Sequence, residues 1–166
     1  MSSWTKENFS FQDLQQIMFK LIQRVEVFKG LTQQELVTLL GAADKCTFKT
    51  GDVIVKQGST GAFLYVIVEG QVSVTKTVPP KPPVELAKLD PGSSFGEMSL
   101  VDQELRSASV IASRPCTLLR LNETACWANP GISAKIFRNI ARIVSVRLRS
   151  MDEAYVLTGD SSRAEG

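Results

Sequence analysis

Phe95-Gly96-Glu97-Met98-Ser99-Leu100, followed nine residues after Glu97 by Arg106-Ser107-Ala108, is the stretch from which the rest of the chain is read. It sets a glycine, a short turn of helix, one acid and one arginine around a single small space. Gly96 allows the backbone to approach an anion with no Cβ in the way. The amides at the start of the turn, near Glu97, Met98 and Ser99, lack intrahelical acceptors and can face phosphate oxygens. Arg106 supplies a planar fork of charged donors, and Ser107 a hydroxyl donor. A carboxylate beside a phosphate would repel it, so Glu97 is read as the acceptor of a sugar hydroxyl. The competing reading of Arg106 is a structural ion pair with Glu97 or Glu104, a common arrangement that often contributes little.

Outward from this stretch, short apolar runs alternate with glycines. Phe48-Lys49-Thr50-Gly51-Asp52-Val53-Ile54, Lys56-Gln57-Gly58 and Leu64-Tyr65-Val66-Ile67-Val68-Glu69-Gly70-Gln71-Val72 precede it, and Gly92 stands just before it. The pattern predicts strands near 45–49, 53–56, 63–69, 71–77, 84–89, 107–112 and 116–121. Many short strands at close spacing mean a sandwich or barrel. Pro79, Pro80, Pro82 and Pro83 make 78–83 an exposed loop, because proline cannot donate to a strand ladder. A docking motif for a proline-binding partner is the minor alternative there.

Taken together, these motifs resemble the cyclic nucleotide-binding domain family over roughly residues 28 to 150. The Phe-Gly-Glu run, the short helix and the arginine followed by a small residue match the family's phosphate cassette. Gly51, Gly58, Gly70, Gly92, Gly96, Glu97 and Arg106 occur in the family's order. Leu105 departs from it, standing where many members carry proline or glutamate. The resemblance implies a mainly β fold: an antiparallel, jelly-roll-like β-roll with N-terminal helices and a long C-terminal helix. It implies a stand-alone sensor of the catabolite-activator or protein kinase A regulatory type. Phe95, Gly96, Glu97, Met98, Ser99, Arg106, Ser107 and Ala108 would hold the cyclic phosphate and ribose. Val74 and Leu86, at matching positions on facing strands, would stack on the base. Leu89, nearby, reads as ordinary core. Ser107 can also meet a guanine edge in some members, which leaves cAMP against cGMP open.

The helical segments flank this roll. Phe11, Leu14, Ile17, Met18, Leu21, Ile22 and Val25 recur at three- and four-residue steps and predict an amphipathic helix over 11–25. Thr32-Gln33-Gln34-Glu35 is a capping box that opens a second helix over about 32–43. Glu123 to Trp127 begins a third helical region, Asn129-Pro130-Gly131 breaks it, and a long helix follows over 132–155. Phe137, Ala141, Val144, Leu148 and Met151 form a heptad-like seam. Ile136, Ile140 and Ile143 make a neighbouring stripe that Arg147 continues, about 20° round the axis from Ile140. Arg147 is either a side chain snorkelling at the helix end or, as the family's last helix lies over its nucleotide, a contact to the base. The chain thus divides into an N-terminal helical segment (1–27), the sensor domain (28–155) and a tail (156–166) read as frayed.

Composition narrows the function. The 166 residues are 43% hydrophobic and 22% charged, enough for one domain with a core. Nineteen basic against seventeen acidic side chains give +2, which argues against a polyanion as main partner. No run approaches the roughly 18 apolar residues of a membrane helix, and Met1 to Ser10 lacks a signal-peptide core, so a cytoplasmic protein is expected. Cys46, Cys116 and Cys126 make an odd count without Cys-x-x-Cys spacing and read as reduced thiols, mostly in strands. The chain has no histidine, which removes Ser-His and Cys-His catalysis and speaks against a small cupin-like metalloenzyme. The expected protein is not an enzyme and needs no metal or cofactor. Its ligand is a cyclic mononucleotide, and its signal passes to a separate protein effector. No helix-turn-helix follows the long helix, so direct DNA binding is not expected. Helices 11–25 or 132–155 could carry a homodimer. A degenerate domain of the same fold, serving only in docking or assembly, is the rival.

Overall fold

The computed structural model describes residues 24–101 and 104–161. The helix read over 11–25 lies outside them apart from Arg24 and Val25. After a 3-10 turn, Glu26–Phe28, comes α1 (Gln33–Gly41). Eight strands follow: β1 (Asp44–Phe48), β2 (Val53–Val55), β3 (Phe63–Glu69), β4 (Val72–Lys76), β5 (Val84–Leu89), β6 (Ser94–Phe95), β7 (Ser109–Ala112) and β8 (Cys116–Asn122). A 3-10 turn, Met98–Leu100, lies between β6 and β7, and α2 (Glu123–Trp127) and α3 (Pro130–Ser161) close the chain. The strands form two four-stranded sheets, ordered β1-β8-β3-β6 and β2-β7-β4-β5, with every pairing antiparallel.

The continuous apolar run of β3 has a structural cause. Successive side chains of a strand point to opposite faces, and both faces of β3 are covered. Leu64 and Val66 join Leu119 and Leu121 of β8 in a cluster with Leu36, Leu39 and Leu40 of α1 and Ile132, Ile136 and Ile140 of α3. Tyr65 and Ile67 point the other way, into the roll, with Leu118, Val55, Val72, Phe95 and Val110. The first sheet is therefore a wall between the helices and the roll interior. The second sheet contributes nothing to the helix-facing cluster, and its β5 is exposed along nearly its whole length.

The local signals at the helix starts act as written. The Thr32 hydroxyl accepts from the Glu35 amide (3.2 Å), and the Glu35 carboxylate accepts from the Thr32 amide (2.7 Å). Glu35 also takes Lys135 of α3 at 2.6 Å, which ties α1 to α3. Several boundaries differ from the sequence reading, and β6 is not among the expected strands. Pro130 and Gly131 belong to α3: proline tolerates the first helical turn, and the Asn129 carboxamide oxygen accepts from the Gly131 and Ile132 amides (2.8 and 3.3 Å). At the other end α3 runs to Ser161 rather than stopping at 155, since extending an existing helix is far easier than nucleating one. Ser107 and Ala108 precede β7, which begins at Ser109. Residues 78–83 are an exposed loop, held at its base by Gln57, whose carboxamide exchanges two 2.9 Å hydrogen bonds with the Thr77 backbone. Cys46 and Cys116 are buried in strands, and Cys126, also buried, lies in α2.

Candidate functional site

The Arg106 backbone is fixed by the turn after β2. Its amide donates to the Ser59 carbonyl (2.9 Å), and its carbonyl accepts from the Gly58 amide (2.8 Å). From there the side chain runs inward and is only 8% exposed. Its guanidinium donates to the carbonyls of Gly96 (3.2 Å) and Phe63 (3.1 Å). Seated on neutral carbonyls, the guanidinium keeps its full charge for a ligand. Burial lowers its pKa below the ordinary arginine value, and the nearby Glu97 charge works against that.

Gly96 is required where it stands. Its φ is +84°, and a Cβ there would fall 2.5 Å from the Phe63 carbonyl oxygen and 2.7 Å from Arg106 Nη1. Both distances are well inside van der Waals contact. The Ser99 hydroxyl donates back to the Gly96 carbonyl (2.9 Å) and closes the turn on itself. Phe95 stacks on Tyr65 with ring centroids 5.0 Å apart. It is thus both core and cavity wall.

Glu97 is 2% exposed. Its Oε1 accepts from Arg147 of α3, and Arg147 also donates to the Ser94 carbonyl (3.0 Å). Its Oε2 is buried without a hydrogen-bond partner, the one such side-chain atom among the described residues. Arg147 is thus tied to the site by two polar contacts. It spans from the helix to the acid of the site.

These groups line a cavity of about 610 Å³ bounded by Val74, Leu86, Phe95 to Ser99, Arg106 to Ala108 and Arg147. Each residue assigned from the sequence to hold the nucleotide borders it. The structure adds Val55, Val110, Ala87 and Leu89 from the strands and Val146, Ser150 and Met151 from α3. Leu89, read as core, packs on the core and also reaches the cavity. Val74 and Leu86 do not sit opposite each other: Val74 pairs with Ala87, and a bulge makes Leu86 the extra residue. Strand spacing alone cannot reveal a bulge, which explains the one-residue slip. The α3 residues had a readable signal, because Arg147 off the solvent face carries Val146, Ser150 and Met151 with it at helical spacing. Arg106 also borders a second cavity of about 580 Å³ on its far side, lined by β2, Ser59, Thr60, Phe63 and Tyr65.

Among the described residues no helix is long and apolar enough to cross a membrane. The chain is 36% identical over 127 residues to a cyclic nucleotide-gated potassium channel of Mesorhizobium japonicum, a match covering 74% of this chain and 34% of the channel. It is 33% identical over 126 residues to the cyclic AMP receptor protein of Thermus thermophilus, covering 76% of this chain and 58% of that protein. The chain thus spans only a third to three fifths of the length of these relatives. Among solved structures, the catabolite activator protein of Thermus thermophilus superposes with a TM-score of 0.73 at 32% identity, over 81% of this chain and 63% of that one. A cyclic nucleotide-binding domain from Methylobacillus flagellatus shares the fold, with a TM-score of 0.79 at 22% identity over 92% and 88% of the two chains. The family is one of regulatory sensors rather than enzymes. Its model, described as cyclic nucleotide-binding domain, matches residues 45–128 and so takes in both sheets and the Gly96–Arg106 cradle; by that match and by the roll itself, the chain belongs to the cyclic nucleotide-binding domain family.

Proposed function

We propose that this chain binds a cyclic mononucleotide in the cavity between β5, the Phe95–Leu100 turn and α3, and passes the signal to a separate protein through α3. One observation carries the proposal: the Glu97 Oε2 atom is buried at the cavity with no partner. A buried acceptor without a donor is costly, and a ribose hydroxyl is a donor of the right kind. Arg106 and the backbone after Gly96 then take the cyclic phosphate, with Ser107 beside them. Val74 and Leu86 supply apolar surface for the base. The cavity volume lies within the usual small-molecule range of about 300–1,000 Å³.

The output follows from Arg147. It donates to the acid that receives the ribose while belonging to the helix that leaves the domain. A ligand that engages Glu97 or draws Arg147 toward the base changes how firmly α3 is held. It can shift α3 only by its different affinity for the two positions.

The same ion pair favours a second reading. Arg147 already satisfies Glu97 Oε1, as would suit a domain that has exchanged ligand binding for docking or assembly. Isothermal titration with cAMP and with cGMP separates the two. Saturable binding of either nucleotide, lost in Arg106→Ala, supports the sensor. Absence of binding by both supports the docking module.

A further inference from the structure

The outer edge of the second sheet is the most unusual surface of the molecule. β5, Val84-Glu85-Leu86-Ala87-Lys88-Leu89, pairs with β4 on one side only. Its large aliphatic residues Val84 and Leu86 are 55% and 57% exposed. An exposed strand edge is a template for another strand, and proteins commonly defend it with a charge, lysine above all. β5 does carry Lys88, but Glu85 stands three residues before it, and the two side chains meet at 3.7 Å.

Three residues apart on a regular strand would be opposite faces. The bulge at Leu86 removes that alternation: Lys88 stands opposite Ser73 and Glu85 opposite Thr75, so both charges lie on the outer face. The Ser73 hydroxyl donating to the Glu85 carboxylate at 2.6 Å marks that face. Leu86, Ala87 and Leu89 lie on the inner side, toward the cavity.

We infer that β5 is a self-complementary docking edge whose partner is β5 of a second copy of this chain, paired antiparallel about a two-fold axis. In the register centred between Leu86 and Ala87, Glu85 of one copy faces Lys88 of the other, and Lys88 of the first faces Glu85 of the second. Val84 faces Leu89, and Leu86 faces Ala87. Directly opposed residues of an antiparallel pair share a face, and the bulge supplies that condition for the charges. The usual lysine defence is cancelled by its own partner. The two sheets become one sheet of eight strands, and two exposed aliphatic side chains per copy are covered. A contact limited to one strand pair belongs to the small, transient class, so the dimer is weak and reversible.

The test is a charge swap on the full chain, read by sedimentation velocity over a concentration series. The parent should self-associate reversibly. Glu85→Lys and Lys88→Glu each place like charges opposite each other twice and should weaken association by roughly tenfold or more. Mixing the two single variants in equal amounts should restore association, because each then meets its complement. The double swap, Glu85→Lys with Lys88→Glu, should restore it in a single chain. Unchanged thermal melting of Lys88→Glu would show that the fold is intact, as expected for an exposed pair; Glu85→Lys also removes the acceptor of the buried Ser73 hydroxyl and should melt slightly lower while still unfolding cooperatively. A parent that stays monomeric throughout overturns the inference. So does self-association that ignores both single charges, which would put the contact elsewhere, such as on the α3 seam, and so does a mixture that fails to recover.

Discussion

At Arg106 two demands meet in one side chain. Its guanidinium donates to two carbonyls, those of Gly96 and Phe63, and it faces the cavity as a cation. Arg106→Ala should therefore lower stability even without ligand, by about 1–3 kcal/mol for the Phe63 carbonyl left without its donor, while the Gly96 carbonyl keeps the Ser99 hydroxyl. It should also weaken nucleotide binding by about 2–4 kcal/mol, the scale for truncating one member of a buried charged pair. Thermal melting without nucleotide and titration with it measure the two losses separately. A variant that melts like the parent would show that water replaces the fork. Gly96→Ala tests the cradle from the other side. The added methyl meets the Phe63 oxygen and Arg106 Nη1 at a φ of +84°, so a strain of about 1–3 kcal/mol is expected. With Arg106 displaced, binding should fall at least as far as stability does. Binding equal to the parent would argue that the phosphate never approaches Gly96.

The element that decides the output is α3, and its two apolar stripes have different fates. Ile136 and Ile140 are 0% and 4% exposed, whereas Phe137 on the heptad-like seam is 42% exposed and stacks on Trp127. Ile136→Ala should cost about 2–5 kcal/mol, as for a large aliphatic residue removed from a packed core, and Phe137→Ala clearly less. Urea unfolding of both variants checks the assignment, and equal losses would put the helix in another rotation. Asn139 adds a polar lock: it is 4% exposed, and its carboxamide donates to the Val27 and Lys29 carbonyls (3.0 and 2.7 Å). Beyond Val144, residues 145–153 are exposed, and in this stretch Arg147 reaches back to Glu97 and Ser94. Hydrogen exchange should show the first half of α3 protected at all times. Residues 145–151 should gain protection on adding cAMP or cGMP, less so in Arg147→Ala. If saturating nucleotide leaves that stretch unchanged, α3 is a fixed brace and the signal leaves by another route.

For the whole molecule, buried weak acids set the alkaline limit. Burial pushes the Cys126 thiol up to about 12. Burial likewise raises the Cys116 thiol and the Tyr65 phenol above their ordinary values. In the unfolded chain these thiols ionise from about pH 8.5 upward while the folded protein keeps its protons. The unfolded state then binds fewer protons, so stability is complete below that range and falls as pH rises toward 12. The melting temperature should drop steadily from about pH 8 to about pH 10.5. Cys126→Ala should flatten the slope while lowering the starting point. A flat profile in the parent would mean that these groups reach water before the fold opens.

Much of this protein was determined by sequence alone, wherever the cause acts over a few residues. The capping box at Thr32 and Glu35, the glycine at Gly96 and the apolar run of β3 are local requirements of backbone geometry or of burial on two faces. They place the elements and most of the residues around the cavity. Tertiary structure decided what depends on residues far apart in the chain. It set the Arg106 fork on the Phe63 carbonyl, 43 positions away, and brought Arg147 to Glu97 across 50. It also chose the isoleucine stripe over the heptad seam as the buried face of α3, because two apolar stripes on one helix are equivalent until a wall exists for one of them to meet. The bulge in β5 belongs with these. Nothing in Val84 to Leu89 itself requires an extra residue at Leu86; the pairing with β4 imposes it, and with it the common face of Glu85 and Lys88.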